Sequence, residues 1–360
     1  MAKRYGSRSS TIKTQSGPRL LDQLSFLDIL GLVSPDRLTA VLGEPTNPMT
    51  AYAADINREA AFAAQDRINR LKPQRVLSLF DGLGAARVAL DRLGIPVDKY
   101  LSSEIDPYAK GVLQQNYPES ADLGDVRGIR AKDVGDVDLM CGGSPCQDLS
   151  RGNRGGKGLE GDRSSLFWEY KRLKDEVQPK NFVFENVIPR GSMQSDDVKI
   201  IRDALEAEPI IMDARDYSAM ARPRMFFTNM DVDQSKPDKL PRFRDLLDAE
   251  VPEKYQLSDR AVDYMNRPAG KSGRTHFQRH GYDVNNPTAR TVPRVIYKGV
   301  PYNAVRMEDE SMRRMTPVEI ERLFGLPENY TAGPSDTRRY MMLGNSMSVP
   351  VLERIMKGLL

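Results

Sequence analysis

Arg75-Val76-Leu77-Ser78-Leu79-Phe80-Asp81-Gly82-Leu83-Gly84 decides the fold. Residues 75–80 form a compact apolar run of strand type, and Asp81-Gly82 ends it in a tight turn. Ala85–Leu93 then reads as a helix stopped at Gly94. A strand that passes through a glycine turn into a helix is the first unit of a doubly wound sheet, and that turn is where such a sheet receives a nucleotide. Outward from it, Tyr100–Ser103 is a second strand ending at Glu104, and Pro107 suits the first turn of the next helix. Val137–Cys141 reads as a buried strand, Leu166–Val177 as a helix and Phe182–Phe184 as a further strand. A helix near Asp196–Glu208 leads to strands at Ile210–Met212 and Met225–Thr228. This alternation predicts an α/β fold with a doubly wound, mostly parallel, Rossmann-like sheet covered on both faces.

Between about 233 and 300 the alternation fails, and proline, glycine and arginine dominate. Regular structure returns at Thr316-Pro317-Val318-Glu319, an N-cap, a proline at the first helical position and a capping-box glutamate. The main domain is therefore expected over 75–232 and 288–360, with a small insertion at 233–287. Residues 1–20, rich in Ser, Arg, Lys and Thr, read as a disordered basic arm. Residues 21–74 read as a helical N-terminal extension, with Leu21, Leu24, Leu27 and Leu30 on one face and an alanine-rich amphipathic stretch from Asp55 to Leu71.

Composition narrows the function. Of 360 residues, 39% are hydrophobic and 29% charged, ordinary for a globular chain with a sizeable core. No apolar run approaches the roughly 18 residues that span a bilayer, and no apolar segment follows the basic start. A soluble, cytoplasmic protein is expected. Two cysteines exclude a disulfide framework, and two histidines leave almost no material for a histidine triad or a multi-histidine metal site. The net charge of +3 hides two basic zones. Residues 1–20 carry five Lys/Arg and no acid, and 254–298 carries nine Lys/Arg against three Asp. Basic zones on a slightly acidic body suggest contact with a polyanion.

The candidate chemistry lies at the predicted strand ends. Glu104 stands 20 residues beyond Gly84, the spacing at which a carboxylate holds ribose hydroxyls. Arg87 occupies the third glycine position of the dinucleotide fingerprint, which disfavours a pyrophosphate and favours a phosphate-free adenosine ligand such as S-adenosylmethionine. Asp125, in Gly124-Asp125-Val126-Arg127, is placed to accept from an adenine amine. Cys146 follows a buried strand in Gly142-Gly143-Ser144-Pro145-Cys146-Gln147, outside the apolar run that holds Cys141. Residues 151–163 contain five glycines and four basic residues, a composition that suits a mobile lid closing over an anion. Glu185 ends another strand, where partial desolvation favours a carboxyl that donates a proton. In Arg222-Pro223-Arg224 the two arginines are expected to project alike, toward a base oxygen, a phosphate or Glu185.

Taken together, Phe80-Asp81-Gly82, Glu104, Asp125, Ser144-Pro145-Cys146-Gln147, Glu185-Asn186-Val187, Arg222-Pro223-Arg224 and Gly344-Asn345-Ser346-Met347-Ser348-Val349-Pro350 resemble the DNA cytosine-5 methyltransferases. The resemblance covers roughly 75–230 and 288–358. It is most like the animal de novo enzymes in Gly124–Arg127, Lys157–Gly161 and Ser218-Ala219. Ala85-Ala86 replaces further glycine after Gly84, and Met220 stands where a glutamine is usual.

The resemblance implies methyl transfer from S-adenosylmethionine to carbon 5 of cytosine in double-stranded DNA, through a covalent Cys146 adduct on a flipped base. Cys146, Glu185, Arg222 and Arg224 are the implied catalytic set. Phe80, Asp81, Gly82, Leu83, Gly84, Ala85, Glu104, Ile105, Asp125, Val126, Arg127, Pro145, Asn345, Ser346 and Met347 are the implied cofactor site. The insertion matches the place of the family's target recognition region, with Thr288-Ala289-Arg290-Thr291-Val292 resembling the segment that anchors it. Arg151, Arg154, Lys157, Arg274 and Arg279 are then the candidate phosphate and groove contacts. His276 and His280 stand at i, i+4 spacing, but with no nearby cysteine and no expected helix no metal is expected. Two other readings stand beside this one, a catalytically silent DNA-binding relative and the family's tRNA-methylating branch. The second has a Cys-Phe-Thr signature that is not found in this chain.

Overall fold

In the computed structural model the described residues are 71–145, 166–189, 195–298, 300 and 302–360. They belong to one compact unit, Leu71–Leu360. The expected basic arm, nearly all of the helical extension, Cys146 and the glycine-rich lid lie outside the described residues.

Seven strands form the main sheet: β1 (Gln74–Leu79), β2 (Val97–Ser103), β3 (Ala121–Asp122), β4 (Leu139–Gly142), β5 (Asn181–Asn186), β6 (Ile210–Asp213) and β7 (Pro223–Thr228), in the order β3-β2-β1-β4-β5-β7-β6. All pairings are parallel except those of β7, which runs antiparallel to both β5 and β6. The chain leaves β1 toward β2 and β3 on one side and resumes at β4 on the other. The β1/β4 boundary is therefore the topological switch point, where a crevice opens beyond the carboxyl ends of the strands.

The helices form where their ends are capped and one face is apolar. The first, α1 (Ala85–Arg92), is followed by α2 (Pro107–Asn116), where the Asp106 carboxylate accepts from the Tyr108 N–H at 2.9 Å and Pro107 opens the first turn. Leu166–Val177 buries Phe167, Tyr170 and Leu173 against the sheet, with the Tyr170 and Phe184 rings 4.7 Å apart and the Tyr170 hydroxyl donating to the Val183 carbonyl at 3.0 Å. Each such apolar side chain contributes about 1.5–3 kcal/mol by leaving water. Thr316 and Glu319 form the expected capping box on Pro317–Phe324.

The inserted region carries its own small core of Met265, Phe277, Ala304 and Met312. A three-stranded sheet of β8 (Tyr282–Asp283), β9 (Ala304–Arg306) and β10 (Met312–Arg314) accompanies it. This packing unit runs past residue 287, the boundary expected from sequence. The Thr288–Val292 segment lies along Ala219–Ala221: Ala289 donates to the Ala219 carbonyl at 2.7 Å and accepts from Ala221 at 2.8 Å. His276–His280 is a short helix capped by Thr275, which corrects the expectation of no helical context. His276 stacks on Tyr264 and His280 meets the edge of Tyr302, so each ring packs on a tyrosine.

Candidate active site

Three strand ends converge at the switch point. Leu79 of β1 pairs with Gly142 of β4, which pairs with Phe184 of β5. Gly142 permits this approach, because a side chain there would begin 2.5 Å from the Leu79 carbonyl. The loop after β1 bends through Phe80 at φ 53°, Gly82 at φ 61° and Gly84 at φ 81°. Left-handed backbone at a phenylalanine is rare and costs of order 1 kcal/mol, and such strain gathers at ligand-binding turns. Tyr330, 247 residues downstream, holds the loop by donating its hydroxyl to the Leu83 carbonyl at 2.7 Å.

Glu104 closes the other side of this loop, accepting from Gly82 at 2.9 Å, Ile105 at 2.7 Å and Asp106 at 2.8 Å. Ile105 is 71% exposed beside it, a bare apolar surface at the mouth of a polar loop. Asp81 is buried beneath, with Oδ1 accepting from Ser78 at 2.6 Å and from the Tyr100 hydroxyl at 2.8 Å. Its Oδ2 is buried with no partner among the described residues. Desolvation pushes the Asp81 carboxyl up to about 6 against the pull of those hydroxyls. Leu83, Ala85 and Val126 are buried around the loop. Asp125 is not open to a ligand in this structure. Its carboxylate is held by the Arg127 guanidinium and backbone, which lower it to about 2. Arg127 is largely exposed and Asp125 part-exposed, so exchange of this pair for another partner costs little.

Glu185, one residue beyond Phe184, stands at the carboxyl end of β5, beside the crevice. Arg224 Nε stands 2.8 Å from its Oε1, and both side chains are largely buried. Gly143 packs directly on it: a side chain there would begin 2.8 Å from Glu185 Oε2 and 3.1 Å from its carbonyl oxygen. Ser144 accepts a long hydrogen bond from the Asn186 amide at 3.5 Å. The Gly143-Ser144-Pro145 turn is thus fastened to Glu185-Asn186, and Cys146 follows it in sequence. Cys141 is buried, and desolvation pushes its thiol up to about 12.

Arg222 departs from expectation. It does not project alongside Arg224 but spends its guanidinium on the carbonyls of Val292 at 3.2 Å, Gly344 at 3.3 Å and Ser346 at 2.7 Å. It precedes β7, so the two-residue alternation of a strand does not govern it. Arg222 is a positioning residue for Asn345-Ser346-Met347, of which Asn345 is exposed, Ser346 buried and Met347 half-buried. Gly344 allows that loop to lie against the Pro293 carbonyl, 2.6 Å from where a side chain would start. Sequence reasoning missed Gly143 as a packing partner of Glu185, and it missed Tyr330 and Val292. No local pattern marks the last two, because their partners are distant in the chain. Arg274 and Arg279 lie on the inserted region, away from these strands in sequence, and Arg151, Arg154 and Lys157 lie outside the described residues. Among the described residues no three His, Cys, Asp or Glu side chains gather as a metal site, and no helix is long and apolar enough to cross a membrane.

The sheet order, with its reversed strand between β5 and β6, and the glycine loop facing a strand-end glutamate define a methyltransferase. Solved structures with this fold include the Entamoeba histolytica methyltransferase EhMeth (TM-score 0.65, 19% identity, covering 80% of this chain and 98% of that one). Another is the S. pombe Dnmt2 methyltransferase (TM-score 0.62, 19% identity, 79% and 98%). Residues 74–360 match the C-5 cytosine-specific DNA methylase family, and the chain belongs to it. Type II methyltransferase M1.ScrFI of Lactococcus lactis subsp. cremoris is 30% identical over 313 residues, covering 79% of this chain and 78% of that protein. Type II methyltransferase M.NlaX of Neisseria lactamica is 29% identical over 298 residues, covering 78% and 94%. The chain is a DNA cytosine-5 methyltransferase.

Proposed function

We propose that this chain methylates cytosine in duplex DNA through a covalent adduct at Cys146, with Glu185 as the proton donor. The observation that carries this reading is the fastening of the Gly143–Pro145 turn onto Glu185, itself ion-paired to Arg224. Carbon 5 of cytosine is a weak nucleophile. Addition of the Cys146 thiolate to carbon 6, with proton donation from Glu185 to ring nitrogen 3, turns carbon 5 into an enamine carbon. Arg224 holds Glu185 in place and offers donors to the base oxygen. Once carbon 5 has taken the methyl group, loss of its proton expels the thiolate, nitrogen 3 returns its proton to Glu185, and the aromatic ring is restored.

S-adenosylmethionine, held in the crevice by residues that follow β1 and β2, would supply the methyl group from its sulfonium and leave as the thioether. The crevice residues fit that ligand. The Glu104 carboxylate has three of its roughly four acceptor sites taken and one left for a ribose hydroxyl, Ile105 offers an apolar face for a purine, and the unpartnered Asp81 Oδ2 awaits a donor. Phe80, Gly82 and Gly84 supply close backbone, and Asn345–Met347 close the far end. Asp125 and Arg127 join the site once their mutual pair opens. The target atom lies inside the duplex stack, so the base must leave it, at a cost of a few kcal/mol. The 151–163 segment and the inserted region supply the compensating DNA contacts, from Arg151, Arg154 and Lys157 and from Arg274 and Arg279.

Duplex DNA containing 5-fluorocytosine tests the proposal, because fluorine cannot leave in the final elimination. Under turnover the protein is expected to form a denaturation-resistant adduct whose peptide mass locates the base on Cys146. Cys146→Ser is expected to form none while binding S-adenosylmethionine normally. A wild-type enzyme that turns over ordinary DNA yet leaves no adduct refutes the covalent route.

A further inference from the structure

The chain reaches Asn345–Met347 by running back along α2. At the far end of α2 the Asn116 amide donates to the Tyr330 carbonyl at 3.0 Å. Gly333 then lies against Gln115, whose Oε1 is 3.6 Å from where a side chain would start. At the near end Arg338, in the first turn of the helix Asp336–Asn345, sets its guanidinium 4.4 Å from the centre of the Tyr108 ring. That helix ends at Asn345, the first residue of the loop that closes the crevice.

Tyr108 is in turn linked to Glu104. Its N–H donates to the Asp106 carboxylate at 2.9 Å, and the Asp106 N–H donates to Glu104 at 2.8 Å. Ile105 and Tyr108, three residues apart, are both exposed. One side of the crevice, Glu104–Tyr108, is thus joined through Arg338 to the helix that carries the other side. The remaining contacts of α2 are better buried. Leu113 packs on the β1 loop, where a side chain at Gly84 would start 2.5 Å from its Cδ1, and the Asn116 bond is part-buried. A guanidinium stacked on an exposed ring shifts an equilibrium by only about 2- to 5-fold. The Arg338–Tyr108 stack is therefore the tie that opens first.

We propose that Arg338 is a positioning residue for the methyl donor: stacked on Tyr108, it clasps the Asn345–Met347 side of the crevice to the Glu104–Ile105 side and sets how long the bound donor stays. The inference rests on S-adenosylmethionine being held there, as proposed above. Neither side chain has to touch the ligand. Charge alone predicts the opposite sign. The donor carries a sulfonium cation, so removing the positive charge of Arg338 would by itself lengthen the stay. Undoing the clasp shortens it.

The test is the dissociation rate of labelled S-adenosylmethionine from the full-length protein, chased with unlabelled ligand in the absence of DNA. Arg338→Met and Tyr108→Leu are each expected to speed release roughly 2- to 5-fold, and the double variant no further. Tyr108→Phe keeps the ring and should match the wild type. Arg338→Lys keeps a cation and should fall between. S-adenosylhomocysteine, which lacks the sulfonium charge, should be released faster by the same factor. A merely structural pair would lower Tm and leave these rates alone. Unchanged or slower release from Arg338→Met overturns the inference, as do single-variant effects that multiply or a Tyr108→Phe that behaves like Tyr108→Leu. A wild type that retains no S-adenosylmethionine overturns the cofactor reading and the clasp with it. Retention by the wild type with variants that match it overturns the clasp alone.

Discussion

Gly143→Ala isolates the contact on which the proposed chemistry depends. The new methyl would start 2.8 Å from Glu185 Oε2 and 3.1 Å from the Glu185 carbonyl oxygen, where ordinary contact begins near 3.4 Å. The carbonyl belongs to a strand paired on both sides and cannot retreat, so the carboxylate must move by about half an ångström or more. Its other oxygen is held by Arg224 at 2.8 Å, and the ion pair is strained or broken. A misplacement of about 1 Å costs on the order of 10²-fold in rate. The single-turnover methyl-transfer rate should therefore fall roughly 10- to 100-fold. Crowding of this kind costs about 1–3 kcal/mol, a fall in Tm of roughly 1–5 °C for a chain of this size. Rapid-quench transfer of labelled methyl groups measures the rate, and equilibrium dialysis checks that cofactor binding survives. The reasoning also requires non-additivity, so on a Glu185→Gln background Gly143→Ala should cost little further rate. A Gly143→Ala enzyme within threefold of wild type, or losses that multiply, would refute it.

Two further outcomes are expected. Glu353 is fully buried, with Arg92 Nε 2.7 Å away but without an aligned N–H, and desolvation pushes its carboxyl up to about 7 from an ordinary 4.5. The folded chain therefore keeps a proton that the unfolded chain releases, and this group costs stability as pH rises from 4.5 to 7. Urea unfolding should show the gap between Glu353→Gln and wild type moving in the variant's favour by about 3 kcal/mol from pH 4.5 to pH 8, and a pH-independent gap contradicts the cause given. Tyr330→Phe leaves the buried Leu83 carbonyl without its donor, a loss of about 1–3 kcal/mol. It should raise the KM for the methyl donor severalfold with kcat little changed, and an unchanged KM would mean that the loop needs no such support.

Much of this molecule was legible in its sequence because local rules agreed with the fold. The 75–80 run, the Leu166–Val177 helix and the Thr316 cap each carry their own periodicity or capping residues, and each forms within a residue or so of its expected place. Glu185 was legible too, since a carboxylate closing an apolar run lands at the mouth of a parallel sheet. The small sheet was not, because strands of two or three residues contain too few positions to show alternation. The divergence of Arg222 from Arg224 was illegible for a different reason. Which carbonyls an arginine meets depends on chain 70 to 124 residues away, and no spacing within Arg-Pro-Arg encodes that.

The support of the β1 loop by Tyr330 has a consequence for biosynthesis. Residues 83 and 330 are separated by 247 positions, so at roughly 5–20 residues per second the turn emerges about 12 to 50 s before its brace exists. Arg92 waits similarly for the carbonyl of Gly325, 233 residues later. During that interval the nascent sheet stands with one flank bare, a period in which a ribosome-bound chaperone has most to shield. Chains truncated before Gly325 should stay in that exposed state permanently.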